Sequence, residues 1–266
     1  MLICAITIAF LTFDAYVILC KPKKGITLKK LEKLSRFLNN YGINLTPKQE
    51  EQFNKYFEML VETNKKMNLT AITEFEEVEE KHFMDSLAIV SFFDMTKVDS
   101  LIDVGTGAGF PGMPLKIMFP HLKVVLADSL NKRVGFLNEV IESLRLTDVI
   151  AVHGRAEELA RDENYREQFD ICVSRAVSSL PSLSELCMPF VKVGGYFVPY
   201  KTKNADDEIN ESQKAITRFG GKLTEKKELV FGESKLHRCF PVIEKISGTP
   251  SQYPRKNGTP QKKPIL

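Results

Sequence analysis

A glycine-rich segment from Asp103 to Gly112 constrains the fold of this chain more than any other feature. It follows a short apolar run at 101–104 and precedes residues compatible with a helix, so it is predicted to be a strand-to-helix turn. Glycine allows positive φ and a close approach of the backbone to a ligand. In Rossmann-like sheets the ligand binds at this kind of turn. The segment therefore predicts an α/β fold with a nucleotide-like ligand.

The residues after Ser100 alternate between apolar strands and amphipathic helices, which is typical of βαβ units and a mostly parallel sheet. Two late segments, 223–230 and 236–243, have no helix between them and are predicted to pair as an antiparallel hairpin at the sheet edge. The other predicted strands are 101–104, 124–127, 149–152, 169–173 and 196–198, and the predicted helices of this part are 132–144 and 206–219.

Residues 26–98 are predicted to form a small N-terminal helical subdomain in front of a Rossmann-like domain at 99–246. Apolar residues recur at helical spacing before Gly42, where the first helix would end. Thr46, Pro47 and Gln49 match the start of a second helix with a capping box. A third helix is predicted at 76–92. The tail at 247–266 is rich in Pro, Gly and Lys, and we expect it to be irregular and basic.

Residues 1–25 form an extension that the rest of the pattern does not explain. Residues 1–20 are almost entirely apolar, interrupted by Asp14 and followed by three lysines. A secretory signal fits poorly because no Lys or Arg precedes the apolar run. A membrane anchor with its basic flank inside is one interpretation. We favour an extension from an upstream start site that the fold does not use, and we expect no membrane association.

Composition narrows the class of protein. A hydrophobic fraction of 43% and a charged fraction of 27% are those of an ordinary globular protein, and the net charge of +3 does not by itself indicate a polyanionic partner. The five cysteines are scattered without a C-x-x-C motif, which argues against a disulfide framework and a zinc site. We therefore expect a cytoplasmic protein without a bound metal.

Two carboxylates bear on the choice of ligand. Asp103 precedes the glycines, where it could face the ammonium group of S-adenosylmethionine but would be repelled by a pyrophosphate. Asp128 ends the next strand, where it could accept hydrogen bonds from ribose hydroxyls in either cofactor class. Alternatively, Asp103 caps the loop and Asp128 caps the following helix. The pattern Gly107-x-Gly109-x-x-Gly112 alone is weak evidence for a dinucleotide.

Seven short motifs occur in one order along the chain from about residue 26 onward. They are Asn68-Leu69-Thr70-Ala71-Ile72, Lys81-His82-Phe83-Met84-Asp85-Ser86-Leu87, Asp103 to Gly112, Asp128-Ser129-Leu130-Asn131-Lys132-Arg133, Gly154-Arg155-Ala156-Glu157, Ser174-Arg175-Ala176 and Tyr253-Pro254-Arg255. In these motifs the chain resembles the bacterial small-subunit rRNA guanine-N7 methyltransferases, also called the glucose-inhibited division protein B family. It departs from the family at Thr202, where a glycine is usual, and in having no tryptophan before Asn68.

The resemblance implies a class I S-adenosylmethionine-dependent methyltransferase fold and methylation of N7 of a guanine in the 530 loop of 16S rRNA. It also implies contacts with S-adenosylmethionine from the glycine-rich turn and from the residues that follow the second, third and fourth strands. These are Gly105, Phe110, Asp128, Ser129, Leu130, Ala156, Glu157 and Arg175. Asp103 and Gly107 join them because of their place in the turn.

Methyl transfer to guanine N7 needs no general base, because that nitrogen carries no proton. The enzyme must align the reactants, and positioning alone can supply a large rate gain. No catalytic dyad is evident. Arg175, His82 and Asp85 are positioning candidates, although His82 and Asp85 could instead hold the helical subdomain against the sheet. Arg175 could touch the cofactor, an RNA phosphate or the base, or form an ion pair, for example with Glu157.

Amino-group and carbon-5 methylation fit the sequence less well. The stretch at Ser174-Arg175-Ala176-Val177 lacks the Asn/Asp-Pro-Pro-aromatic motif that usually accompanies amino-group methylation of a base. Carbon-5 methylation needs a nucleophilic cysteine, whereas Cys172 lies between apolar residues of a predicted strand. We expect Cys172 to be buried by packing.

From Lys235 to Leu266 seven Lys or Arg residues stand against a single Glu244, which favours phosphate contacts but is also compatible with a solvated tail. The expected partner is 16S rRNA, alone or within the small ribosomal subunit, and the expected state is a monomer. Two alternative functions share parts of the pattern: an NAD-dependent oxidoreductase and a non-enzymatic RNA-binding module. Candidate RNA contacts are Lys132, Arg133, Lys201, Lys203, His237, Arg238, Arg255, Lys256, Lys262 and Lys263.

Overall fold

Seven strands form one sheet in the order β3-β2-β1-β4-β5-β7-β6 in the computed structural model, which describes residues 29–203 and 205–266. Strands β1 to β5 are parallel, and β7 runs antiparallel to both β5 and β6. This confirms the Rossmann-like α/β class and the predicted edge hairpin. The strands are β1 Ser100–Val104, β2 Lys123–Asp128, β3 Val149–His153, β4 Phe169–Arg175, β5 Val191–Thr202, β6 Gly221–Phe231 and β7 Leu236–Lys245.

The central strands β1, β2 and β4 are mostly apolar between their ends because both faces of the sheet are covered by helices. Leu101 packs into one hydrophobic cluster and its neighbour Ile102 into another, as the alternation of side chains along a strand requires. The first cluster contains residues of α2, α5 and α6, and the second contains residues of α8 and α9. These helices are α2 Pro47–Met67, α5 Gly112–Met118, α6 Asn131–Ser143, α8 Leu180–Cys187 and α9 Asp206–Arg218.

The N-terminal helices pack directly against the sheet. After the short helix α1 Glu32–Asn39, helix α2 begins at the predicted capping box. The backbone N–H of Thr46 donates to Gln49 Oε1 at 2.9 Å, and Thr46 Oγ1 accepts from the backbone N–H of Gln49 at 3.3 Å. Phe53 and Tyr56 of α2 belong to the same cluster as one face of the sheet, so this helix is anchored by apolar burial as well as by its cap.

The third predicted helix, at 76–92, is helical but not uniform. It comprises α3 Phe75–Val78, a π-helical turn Glu79–Met84, α4 Asp85–Leu87 and a 3₁₀ turn Ala88–Ser91. A π-helical turn adds one residue to an α-helical path, and such turns often occur at functional sites. Its position matters here because His82 and Asp85, two of the positioning candidates, lie within it or directly after it.

The remaining helices are α7 Ala156–Leu159 and α10 Thr259–Lys262. The predicted helices at 132–144 and 206–219 match α6 and α9 within one residue at each end, whereas α7 and α8 were not predicted. The tail at 247–266 is mostly irregular, as predicted, apart from α10. The predicted apolar extension lies outside the described residues. Within the described residues, no helix combines the length and the apolar character that crossing a bilayer requires.

Candidate functional site

The glycine-rich turn joins the carboxyl end of β1 to the start of α5. Gly107 has φ +62°, and a Cβ placed on it would project into open space. Its backbone N–H donates to Asp128 Oδ2 at 2.9 Å. The turn is therefore held against the end of β2 by its own backbone, and the space above Gly107 is available to a ligand.

Asp103 lies at the end of β1 beneath this turn and is fully buried. Its Oδ2 accepts from Thr106 Oγ1 at 2.7 Å and from the backbone N–H of Gly112 at 2.8 Å, so the loop-capping role is present. Its Oδ1 is buried and has no hydrogen-bond partner among the described residues. Burial raises the pKa of Asp103 to about 6. A buried acceptor without a partner costs stability, which fits an atom reserved for a polar ligand group.

Asp128, at the end of β2, is also buried. Besides the bond from Gly107, its Oδ1 accepts from the backbone N–H of Leu130 at 2.9 Å, and Arg133 Nη1 lies 3.4 Å from Oδ2. Each carboxylate oxygen can accept more than one hydrogen bond. Asp128 can therefore hold the turn in place and still accept from the hydroxyls of a ribose.

A cleft opens beside Asp128 and beside Val104, the chain neighbour of Asp103, and we call it the nucleoside cleft. Its volume is about 80 Å³. Val177, from the loop after β4, lies over Gly105 so closely that a Cβ on Gly105 would overlap its side chain, and it is one of the residues that line the cleft. The cleft is lined by Val104, Gly105, Ala127, Asp128, Ser129, Gly154, Arg155, Ala156, Glu157, Val177, Leu186 and Gln261.

The acids beside the turn, Asp103 and Asp128, have the chemistry that binding of S-adenosylmethionine requires. The unpartnered Oδ1 of Asp103 suits an ammonium group, and Asp128 suits ribose hydroxyls. Five of the expected contact residues line the nucleoside cleft: Gly105, Asp128, Ser129, Ala156 and Glu157. The other expected contacts do not line it: Asp103, Gly107, Phe110, Leu130 and Arg175. Leu130 is 52% exposed, and Arg175 lines a different cavity.

This second cavity, which we call the arginine cavity, has a volume of about 390 Å³. Two of its lining residues contact the ring of Phe110: the His82 ring stacks on Phe110 with the centroids 4.5 Å apart, and the Arg175 guanidinium lies 5.2 Å from the Phe110 centroid. Phe110 and Arg175 thus connect the turn to this cavity. It is lined by Ile72, Lys81, His82, Arg175, Ala176, Tyr200, Lys201, Thr202, Leu236 and Arg238.

Asp85 binds the two arginines that line the arginine cavity. Its carboxylate is fully buried and accepts from Arg175 Nη1 at 2.7 Å and from Arg238 Nε at 2.7 Å. The alternative pairing of Arg175 with Glu157 is therefore wrong. The Asp85 carboxylate thus holds the guanidinium of Arg175, from the end of β4, and that of Arg238, from β7, because one carboxylate can accept from both.

His82 is a neutral residue of this cluster. Burial and then the charge of Arg175 lower the pKa of His82 to about 4. Its Nε2 lies 2.9 Å from Thr70 Oγ1, and its Nδ1 lies 3.3 Å from Arg175 Nη2. The imidazole therefore carries no charge near neutral pH, and it connects the loop before α3 to Arg175. These contacts show that His82 and Asp85 hold the helical segment against the sheet, and their role in positioning a substrate stays a prediction.

The ten candidate RNA contacts fall into two groups. Arg133, Lys201, Arg238 and Arg255 are in ion pairs with Asp128, Glu208, Asp85 and Glu185, respectively. The guanidinium of Arg255 contacts a nearly fully buried carboxylate, so its expected role as a free phosphate contact is replaced by a structural one. His237 is half-buried, whereas Lys132, Lys203, Lys256, Lys262 and Lys263 are exposed.

Sequence reasoning missed several residues of the site. Tyr56 of α2 is fully buried, and its hydroxyl donates to the carbonyl oxygen of Ala108 in the turn. Tyr200 of β5 lines the arginine cavity and donates to the carbonyl oxygen of Ser86 at 2.7 Å. Both tyrosines are distant in sequence from the turn, so no spacing rule could have found them.

Comparison with known proteins supplies the family. Residues 49–236 match the family model GidB, described as rRNA small subunit methyltransferase G. The chain is 51% identical over 229 residues to a "Ribosomal RNA small subunit methyltransferase G" of Lachnoclostridium phytofermentans, covering 86% of this chain and 95% of the relative. It is 54% identical over 224 residues to the protein of that name from Alkaliphilus metalliredigens, covering 84% of this chain and 94% of the relative.

Proposed function

The chain belongs to the GidB family of rRNA small subunit methyltransferases, and from this premise we propose that it methylates N7 of a guanine in the 530 loop of 16S rRNA with S-adenosylmethionine as donor. The family match covers the turn, the nucleoside cleft up to Leu186 and most of the arginine cavity. The oxidoreductase and the non-enzymatic alternatives find no support among the relatives.

One observation carries the proposal: a cavity lined by two arginines adjoins the nucleoside cleft, since Ala176 lines the cavity and its chain neighbour Val177 lines the cleft. Arg175 of that cavity also contacts the ring of Phe110 in the glycine-rich turn. The cleft provides buried acids for a cationic nucleoside, and the neighbouring cavity is large enough for a base. S-adenosylmethionine, when bound, supplies a methyl group on a positively charged sulfur. The residues of the chain would hold donor and base side by side, because alignment is the main requirement of a direct displacement.

The arginine cavity fits a guanine whose N7 must stay free. Guanine presents two acceptors on one edge, O6 and N7, and arginine is the usual partner of that edge. We assign O6 to Arg175 or Arg238, which leaves the N7 lone pair for the methyl group. His82 is neutral and N7 carries no proton, so His82 is not required as a base. Its stacking on Phe110 and its contact with Arg175 make it a positioning residue.

Asp85 also bears on the charge of the product. Methylation at N7 adds a positive charge to the base, and two unneutralised guanidiniums beside it would oppose that change. The buried carboxylate of Asp85 lies 2.7 Å from both and offsets part of their charge. A fixed carboxylate in a buried site stabilises developing positive charge more strongly than it would in water.

The exposed lysines that remain are suited to the phosphates of the RNA. Lys132 lies at the start of α6 beside the nucleoside cleft, and Lys256, Lys262 and Lys263 lie in the tail. Base-specific recognition of RNA usually targets single-stranded loops whose bases can leave the stack. We therefore propose a loop guanine as the substrate, in 16S rRNA or in the assembled small subunit, with the cytoplasm as the place of the reaction and a monomer as the working state.

The deciding experiment measures methyl transfer. Small subunits and naked 16S rRNA from cells lacking this protein would be incubated with radiolabelled S-adenosylmethionine and the purified chain, and 7-methylguanosine would be mapped. We expect incorporation at one guanine of the 530 loop. Calorimetry should show binding of S-adenosylhomocysteine and no binding of NADH. No incorporation into either RNA substrate would refute the proposal.

A further inference from the structure

The C-terminal segment at 253–263 lies against the nucleoside cleft, although it is outside residues 49–236 of the family match. The backbone N–H of Gly258 donates to Glu157 Oε1 at 2.7 Å. Glu157 is 4% exposed and belongs to α7, which follows β3. Glu157 thus uses a carboxylate oxygen to hold the tail, in addition to any contact that it makes with the donor.

Two further anchors fix this segment on α8. The guanidinium of Arg255 contacts the buried carboxylate of Glu185 through Nε at 2.9 Å and Nη2 at 2.6 Å. Ser182 Oγ donates to the carbonyl oxygen of Pro260 at 2.9 Å. Charge-assisted bonds in which both the Nε and an Nη nitrogen contact one carboxylate restrict orientation as well as distance. The segment is therefore held beside the cleft at three points, on two different elements.

Gln261 comes directly after the last of these anchors and lines the nucleoside cleft. It is an exposed residue, so its carboxamide is accessible to a ligand in the cleft. The nearby lining at Ala156 and Leu186 is apolar, which suits the face of a flat ring. Among the side chains of this end of the cleft, the carboxamide of Gln261 offers both a donor and an acceptor.

We propose that Gln261 recognises the adenine edge of the methyl donor, an inference that rests on the proposed function. With the ribose held at Asp128, the base extends towards Ala156 and the tail. Adenine presents a donor at N6 next to an acceptor, and a side-chain amide pairs with that pattern through two hydrogen bonds. The tail then completes the donor site, because the three anchors place the carboxamide at the open side of the cleft.

The test compares ligand binding by three full-length proteins: the natural chain, Gln261→Ala and Gln252→Ala. Gln252 is an exposed residue of the same tail that does not line the cleft, so it is the matched control. Calorimetry with S-adenosylhomocysteine should show a loss of about three- to tenfold in affinity for Gln261→Ala, as expected for a neutral hydrogen bond. Gln252→Ala should bind like the natural chain. Equal affinities in all three would overturn the inference.

A second ligand separates base recognition from a general effect on the tail. S-inosylhomocysteine carries oxygen in place of the adenine N6 amino group and a proton on N1. The natural chain should bind S-adenosylhomocysteine more tightly than this analogue. In Gln261→Ala the ratio of the two affinities should be about three- to tenfold smaller. An unchanged preference in Gln261→Ala would mean that Gln261 does not contact the base.

The outcomes also distinguish this inference from the proposed function. If the natural chain binds S-adenosylhomocysteine and methylates 16S rRNA while Gln261→Ala keeps both the affinity and the preference, only the role of Gln261 is refuted. If the natural chain binds no S-adenosylhomocysteine, the proposed function fails first. Thermal unfolding should be the same for all three proteins, because Gln261 and Gln252 are both exposed.

Discussion

Asp85 and Arg175 form an ion pair that joins the helical segment at 75–91 to the carboxyl end of β4. The distance between Oδ2 and Nη1 is 2.7 Å, and the Asp85 side chain is fully buried while Arg175 is 15% exposed. The same carboxylate holds Arg238 of β7. Three elements that are far apart in the chain are thereby fixed around one cavity.

Removal of the Asp85 carboxylate should destabilise the fold and reduce activity together. Asp85→Ala would leave two poorly exposed guanidiniums without their partner, and we expect the free energy of unfolding to fall by about 3–5 kcal/mol. Urea denaturation would measure this change. Glu62→Ala is the control, because Glu62 pairs with Lys65 on the exposed face of α2 and solvent screens such a pair, so the loss of stability should be far smaller. Similar losses in both variants would contradict the buried pair.

His82 should make stability depend on pH in the acid range. Its pKa is lowered to about 4 in the fold from an ordinary value of 6.5, so the unfolded chain binds more protons between these values. Above pH 6.5 His82 is neutral in both states and does not change the free energy of unfolding. As the pH falls from 6.5 towards 4, protonation of His82 in the unfolded chain lowers this free energy by up to about 3 kcal/mol. Urea denaturation of the natural chain and His82→Gln at pH 7 and pH 5 would measure the difference. The same pH dependence in both proteins would refute this assignment.

Gly107 should matter for donor binding as well as for folding. Ala at φ +62° costs about 1–2 kcal/mol of backbone strain, and its Cβ would occupy the open space above the turn. We expect Gly107→Ala to weaken S-adenosylhomocysteine binding by about tenfold or more in calorimetry, since a ligand must approach the backbone closely here. Gly135→Ala, inside α6, has open space and no positive φ, so it should leave binding unchanged and raise stability by about 0.5–1 kcal/mol.

Val177 should hinder entry of the donor. It lines the nucleoside cleft, lies over Gly105 and is 36% exposed, so we expect its methyl groups to compete with a nucleoside for this space. Val177→Ala removes two carbons from this space. We expect the free energy of binding S-adenosylhomocysteine to become more favourable by about 1 kcal/mol, which is about fivefold in affinity. A decrease in affinity would show instead that Val177 packs against the bound ligand. Val193→Ala, 57% exposed in β5 and outside the nucleoside cleft, is the control.

The sheet and the turn were predictable from local patterns. The apolar strands, the glycines of the turn and the capping box at Thr46 act over a few residues, so their sequence spacing carries the information. The π-helical turn at Glu79–Met84 was not predicted, because an extra residue in a helix leaves a pattern that resembles an ordinary amphipathic helix. The helix α8 was missed because all of its residues are buried, so it lacks the exposed face that gives a surface helix its amphipathic pattern.

The sequence by itself determined the fold class, the place of the glycine-rich turn and the family, since motifs in a fixed order and hydrophobic periodicity are properties of neighbouring residues. Only the tertiary structure decided that Arg175 pairs with Asp85 instead of Glu157, and that Arg255 and Gly258 hold the tail beside the cleft. Ion pairs between residues 70 or more positions apart depend on which strand ends and helices meet in space. That meeting is set by the packing of the whole sheet, and no local spacing encodes it.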